Sequence, residues 1–214
     1  VKAGRFISIE GGEGVGKSTS VAYIQDYLQT CGIDVVSTRE PGGTKLAEEL
    51  RALLLNHHTE KVDPYTELLM MFAARRQHIT EVIRPALAAG KWVLCDRFTD
   101  ASYAYQGYGR NLPLAFIDSL AKWVHGDTNP DLTLLLDVDI EVGMQRARQR
   151  SSLDRIESEA MAFFEAVRQG YLARAKAEPQ RFCIVDASVS ITAVQLQIES
   201  ALQGLNVGVA RHEG

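Results

Sequence analysis

The chain has 214 residues, 46% of them hydrophobic and 23% charged, and a formal net charge of −4. That is enough apolar chain for one domain with a substantial core, and the acidic balance argues against broad nucleic-acid binding, which needs a basic footprint. Three scattered cysteines, Cys31, Cys95 and Cys183, form neither a disulfide framework nor a metal-ligand pair and are expected as free thiols.

The first element is a β-branched, apolar strand, Phe6-Ile7-Ser8-Ile9, and the third is a helical pattern carrying Val21, Ile24 and Leu28. Between them lies Glu10-Gly11-Gly12-Glu13-Gly14-Val15-Gly16-Lys17-Ser18-Thr19, which reads G-x-x-x-x-G-K-[ST] from Gly11 to Ser18, the P-loop pattern. Glycines permit positive-φ turns and let backbone N–H groups come close to phosphate oxygens. Those amides make an anion nest, to which the helix N-terminus adds its positive end. Lys17 is placed to reach the β- and γ-phosphates of a nucleoside triphosphate, and the Ser18 hydroxyl suits Mg²⁺. A flexible glycine-rich loop is the plainer alternative, and the strand–loop–helix context argues against it.

Gly32 stops the first helix near Cys31. A second strand, Val35-Val36-Ser37-Thr38, delivers Arg39-Glu40-Pro41-Gly42-Gly43-Thr44 at its carboxyl end. A helix then carries Leu46, Leu50, Leu53 and Leu54 on its apolar side, with Arg51 free to point elsewhere, and His57-His58 reads as a solvated turn. Residues 65–87 form one long helical pattern whose apolar positions spread wider than one stripe, as in a central helix or an oligomer interface. Gly90 ends it, and Trp92-Val93-Leu94-Cys95 runs as a strand into Asp96-Arg97-Phe98. A polar, aromatic stretch follows over 102–110, and Pro113 opens another helix. Residues 132–137 make a buried strand, 142–150 a basic helix, and 151–155 a short mobile connection. A helix over 158–177, a strand over 182–186 and an amphipathic helix with Ile191, Val194, Ile198 and Leu202 on one face complete the chain. Residues 207–214 are expected as a disordered tail.

Strands that are near-continuous apolar runs, alternating with helices, predict an α/β fold with a parallel sheet and helices on both faces. Ligands of such sheets sit at the carboxyl ends of the strands. Glu10, Arg39-Glu40, Asp96-Arg97, Asp137 and Asp186 all fall there. Asp96 can hold Mg²⁺ or its water ligands and Arg97 can clamp a phosphoryl group; a structural ion pair is the alternative. Phe72 lies three residues from Arg75 and four from Arg76, so either pair shares a helix face as an aromatic platform beside a guanidinium. A core aromatic with two solvated cations reads equally well. Arg146, Arg148, Arg150 and Arg155 are either a solvated face or cations brought in as a site closes. Glu13, a carboxylate beside an anionic ligand, requires a cation or metal nearby.

Taken together, the motifs resemble thymidylate kinases of the bacterial type, in order from about residue 6 to residue 186. The P-loop, Thr38-Arg39-Glu40-Pro41-Gly42-Gly43, Asp96-Arg97-Phe98, the segment Ser102-Tyr103-Ala104-Tyr105-Gln106-Gly107 and Asp154-Arg155-Ile156-Glu157 carry the likeness. The P-loop alone says only nucleotide binding; the segment from Asp96 to Gly107 is far more specific. The resemblance implies a P-loop NTPase fold of the nucleoside-monophosphate kinase type, a single domain over 1–206 with a short lid at about 146–157. It implies transfer of the γ-phosphoryl group of ATP, with Mg²⁺, to dTMP in dTTP biosynthesis. It also implies a homodimer through the long helix around Leu68 to Ile83. The lack of a signal peptide, spanning apolar segment or lipidation signal leads us to expect a cytoplasmic protein without membrane partners, and the acidic charge one without nucleic-acid partners. Gly11, Gly12, Glu13, Gly14, Val15, Gly16, Lys17, Ser18 and Thr19 would hold ATP, and Ser18 and Asp96 the metal. Phe72 would stack on thymine, Arg75 or Arg76 would donate to its O4, and Ser102 and Gln106 would face the base edge. Tyr105 would crowd the sugar 2′ position, while Glu40, Arg39, Arg51 and Arg97 would belong to the dTMP site. Lys17, Arg97, Arg150 and Arg155 would be catalytic. Two departures stand out. Family spacing favours Arg76 as the base reader, whereas alignment on Gln77-His78 favours Arg75, and Phe98 stands where a Tyr is common. The alternatives are another nucleoside-monophosphate kinase of this fold or a noncatalytic nucleotide-binding module; the N-K-x-D and D-x-x-G motifs of GTPases are absent.

Overall fold

The computed structural model describes residues 4–149, 154–205 and 207. Five parallel strands form one sheet: β1 (Phe6–Glu10), β2 (Val35–Arg39), β3 (Trp92–Asp96), β4 (Leu132–Asp137) and β5 (Phe182–Asp186), in the order β2-β3-β1-β4-β5. The register pairs Arg39 with Asp96, Ile9 with Asp96 and Asp137 with Asp186, so the polar strand ends gather on one edge. All five residues of β1 are buried, as expected of a central strand covered on both faces.

The helices are α1 (Lys17–Thr30), α2 (Lys45–Leu55), α3 (Pro64–His78), α4 (Arg84–Ala88), α5 (Thr99–Ser102), α6 (Leu114–His125), α7 (Ile140–Arg148), α8 (Met161–Ala177) and α9 (Ile191–Gln203). Asp63 caps α3 by accepting from the amides of Tyr65 and Thr66, and Pro64 takes the first turn, where no N–H is needed. A wide turn over Ile79–Ile83 joins α3 to α4, so the pattern read over 65–87 is one continuous rod. Alternation along β1 divides the core. Ile7 and Ile9 pack with Ile24, Leu28, Ile198 and Leu202 on one face, while Phe6 packs with Leu68, Phe72, Phe98 and Ile117 on the other. No helix among the described residues is long and apolar enough to cross a membrane.

Several expectations change. In α2 only Ala47 and Leu54 are buried, and Leu46 and Leu53 are half-exposed. Ile191 is exposed, leaving Ile198 and Leu202 as the buried positions of α9. The stretch after Phe98 is helical, α5 continuing into a wide turn over Tyr103–Gly109. It packs closely on α8, where a Cβ on Gly170 would lie 2.9 Å from the Ala104 backbone. Arg155 sits in an ordered turn, since Asp154 accepts from the amides of Ile156 and Glu157; residues 151–153 of the expected connection, and residue 150 of the expected helix before it, lie outside the described residues. Val207 is buried in the first core, and 208–214 lie outside the described residues.

Candidate functional site

The loop after β1 needs its glycines. Gly11, Gly14 and Gly16 have φ of +139°, +68° and +96°, values L side chains rarely adopt. A Cβ on Gly14 would lie 1.8 Å from the Gly143 carbonyl oxygen, so the loop rests backbone to backbone on α7. Lys17 Nζ donates to the Gly11 and Gly12 carbonyls at 3.1 and 2.6 Å. Burial, with help from Arg97, pushes the Lys17 ammonium down to about 8. Thr19 faces away, into a second cavity beyond the loop that is also lined by Tyr23, Arg146, Ala187, Val189 and Val194.

The main cavity opens over the strand ends. Residues 13–18, Arg51, Asp96 and Arg97 line one end, Met71, Arg75, Ser102 and Gln106 line the other, and Tyr105 lies between them against Glu13 and Arg97. At the first end Arg97 holds a left-handed backbone, φ +67°, while its N–H donates to Ile9 O at 2.9 Å. A non-glycine residue held there is a strained position maintained by its surroundings. Its guanidinium donates to Glu13 at 2.6 Å and lies 4.7 Å from the centre of the Tyr105 ring, whose hydroxyl also donates to Glu13 at 2.6 Å. Burial alone would raise the Glu13 carboxyl, but Arg97 and Lys17 bring it down to about 2. The cation that Glu13 requires is therefore Arg97. Behind it, burial and Asp100 raise Glu10 to about 8, and Glu10 accepts from the Phe98 amide and the Tyr171 hydroxyl. Asp96 Oδ1 is buried and has no hydrogen-bond partner among the described residues.

At the other end Arg75 is gripped on three sides. Nε donates to Glu40 Oε2 at 2.6 Å, Nη1 to Ser102 Oγ at 3.1 Å and Nη2 to Phe98 O at 3.2 Å. Of five N–H donors, two are left for a ligand. Gln106 spends its amide N–H on Glu67 at 2.9 Å, which leaves its carbonyl oxygen for the cavity.

The structure does not bring every expected residue here. Phe72 is only 2% exposed, sits in the core with the Arg75 guanidinium 4.6 Å over its ring, and does not line the cavity. Met71, one position earlier, does. Arg76 is exposed and donates to Val124 O at 2.9 Å, outside the cavity. Arg39 is half-exposed and pairs with Glu48 at 2.8 Å, because the side chain at the end of β2 turns away from the cavity. Glu40 lines the cavity, but its oxygens are committed to Arg75 and His78. Arg51 lines it while donating to Pro41 O at 3.0 Å. Arg155 points toward α2 and α3, donating to Leu54 O at 2.8 Å and Glu67 at 2.6 Å, and so is not at the P-loop. Arg150 lies outside the described residues. Sequence reasoning missed Met71, His78 and Glu67, and saw Arg146 only as part of a charge run. Alignment on Gln77-His78 was the one signal that pointed to the correct rotation of α3.

The thymidylate kinase family model matches residues 9–198. The thymidylate kinase of Teredinibacter turnerae is 56% identical over 200 residues, covering 94% of this chain and 98% of its own. That of Pseudomonas putida is 56% identical over 203 residues, covering 95% of this chain and 97% of its own. The crystal structure of thymidylate kinase from Ehrlichia chaffeensis superposes with a TM-score of 0.77 at 36% identity, covering 94% of this chain and 99% of that one.

Proposed function

The chain belongs to the thymidylate kinase family, and from that premise we propose that it transfers the γ-phosphoryl group of ATP to dTMP, giving dTDP and ADP. The observation that carries this reading is a single cavity with a P-loop and Arg97 at one end and the Arg75, Ser102 and Gln106 donors and acceptors at the other. The P-loop amides and Lys17 hold the triphosphate, and the adenosine lies in the second cavity between Arg146 and the 187–189 loop. Arg97 and Arg51 hold the dTMP phosphate in line with the γ-phosphate. No covalent intermediate is needed, because positioning and charge stabilisation suffice. Glu13 fixes Arg97 between the two nucleotides, a preorganised charge that costs no rearrangement during transfer.

At the base end Arg75 donates to thymine O4, with Ser102 and Gln106 along the base edge and the Met71 thioether against its face. Tyr105 fills the space a ribose 2′-hydroxyl would need. The unpartnered buried Asp96 Oδ1 and the Ser18 hydroxyl in the same cavity fit Mg²⁺, a hard cation that takes oxygen ligands. Bound there, Mg²⁺ would offset the negative charge of the ATP phosphates. Of the two lid arginines expected to be catalytic, Arg155 is tied to Glu67, which leaves Arg150 for the transition state. The cytoplasm, where soluble nucleotides are handled, is the proposed compartment.

A homodimer is also proposed, through an apolar strip and not through Leu68 and Ile83, which pack inside the protomer. The strip runs from Leu46 and Leu53 of α2 through Tyr65 and Leu69 of α3 to Phe116 and Trp123 of α6, the last 82% exposed. The Tyr65 and Phe116 rings meet at 5.8 Å, joining its α3 and α6 parts. The activity is tested by ADP release with ATP and a panel of acceptors. Preference for dTMP is expected; a strong preference for UMP, CMP, GMP or AMP, or ATP binding without turnover, overturns the assignment.

A further inference from the structure

His78 closes α3 with no exposed surface and does not line the main cavity. It is nevertheless built into the site. Its Nδ1 lies 3.0 Å from Glu40 Oε1 and its Nε2 2.7 Å from Thr38 Oγ1. The backbone of the 41–44 loop closes over the ring, and a Cβ on Gly43 would meet His78 at 2.4 Å. Burial raises the Glu40 carboxyl, but Arg75 and His78 outweigh it and hold the group below its ordinary value. An ionised carboxylate only accepts, so Nδ1 carries the hydrogen toward Glu40, while Nε2 shares a hydrogen bond with Thr38 Oγ1.

This arrangement divides Glu40 in two. One oxygen serves His78 and the other serves Arg75 Nε. A carboxylate with both oxygens free would turn to meet a guanidinium with two parallel bonds, the favoured fork geometry. That turn would consume a terminal N–H of Arg75. We infer that His78 is a positioning residue for base selection: by occupying Oε1 of Glu40 it leaves Arg75 a terminal N–H directed into the cavity, where it selects a pyrimidine with a carbonyl at C4 over one with an amino group. The inference rests on the reading of Arg75 given above. It concerns a residue that touches no nucleotide and acts through two intermediaries, Glu40 and Arg75.

The test compares kcat/KM for dTMP and dCMP in four variants, each first checked for cooperative thermal unfolding. His78→Leu removes both ring partners; it is expected to lower the dTMP/dCMP ratio at least about tenfold, mainly through the dTMP KM, with the ATP KM within about twofold. His78→Asn places an amide N–H near the position of Nδ1 and is expected to recover most of the ratio. His78→Gln places its amide near Nε2, toward Thr38, and is expected to resemble His78→Leu. If His78→Leu does not fold, the comparison of Asn with Gln decides, because a residue that only fills space would give equal ratios in both. Equal ratios, or a wild-type ratio in folded His78→Leu, overturn the inference. Arg75→Ala separates the premise: an unchanged ratio there means that Arg75 does not read the base. A collapsed ratio in Arg75→Ala with intact selection in the His78 variants defeats the His78 inference alone.

Discussion

A one-residue rotation of α3 decides which side chains meet the nucleotide. Adjacent helical positions differ by about 100°, so Met71 and Phe72 cannot both face the cavity, nor can Arg75 and Arg76. Helical spacing shows that an aromatic and an arginine share a face, but not whether that face looks at the core or at the cavity. The glycine spacing of the P-loop, by contrast, was legible directly, because positive φ leaves few other residues possible at Gly14 and Gly16. Two predictions belong at this scale. Met71→Ala is expected to raise the dTMP KM by a factor corresponding to about 1 kcal/mol with stability little changed, whereas Phe72→Ala costs about 3–5 kcal/mol of stability as a core truncation. Steady-state kinetics and urea unfolding check the pair; the opposite pattern would restore Phe72 as the platform. The second concerns Lys17, whose ammonium is held at about 8 in the free site. A protonated Lys17 favours the anionic triphosphate, so kcat/KM for ATP should be flat below pH 8 and fall up to about tenfold per pH unit above it. Bound phosphate stabilises the charge, so kcat at saturation persists to higher pH. Lys17→Arg, weaker at every pH, should lose the alkaline limb; retention of that limb would assign it to another group.

Elements show the same division between legible and hidden. The five strands and the long α3–α4 rod follow from apolar periodicity and from Gly32 and Gly90 at the turns. The helix after Phe98 was hidden because Ser102, Tyr103, Tyr105 and Gln106 are polar or aromatic on every side, buried by α8 and the site rather than by an apolar stripe. The 154–157 turn was hidden for a different reason. Arg155 looks like a lid cation in sequence, yet Glu67, 1% exposed, draws it away. Glu67 accepts from Arg155, from Arg110 and from Gln106, and Arg110 also reaches Glu159. This cluster clamps the 154–157 turn, the last part of the expected lid, to α3. Arg155→Ala leaves Glu67 two partners and is expected to cost about 1–3 kcal/mol in urea unfolding. Its kcat should fall less than about tenfold, since no transition-state contact is lost. A larger fall in kcat with unchanged stability would return Arg155 to the transition state.

At the scale of the whole molecule, the apolar strip on α2, α3 and α6 shares two helices, α2 and α3, with the lining of the main cavity. Leu69 is half-exposed, whereas its neighbours Leu68 and Phe72 are buried. Light scattering should therefore give twice the protomer mass for the wild type. Trp123→Glu combined with Leu69→Glu should give the protomer mass, since buried like charges at a twofold interface oppose each other. A monomeric wild type would leave the strip without its proposed partner. The parallel sheet has one more consequence. Every loop that handles nucleotide leaves the carboxyl edge, so the returns at 31–34, 89–91 and 126–131 all lie on the opposite edge, and none lines the main cavity. That edge is a handle. A tether or fluorophore on the half-exposed Lys91 side chain, between the end of α4 and the start of β3, is expected to fix the enzyme to a surface while leaving turnover intact, because the nucleotides enter and leave from the far side.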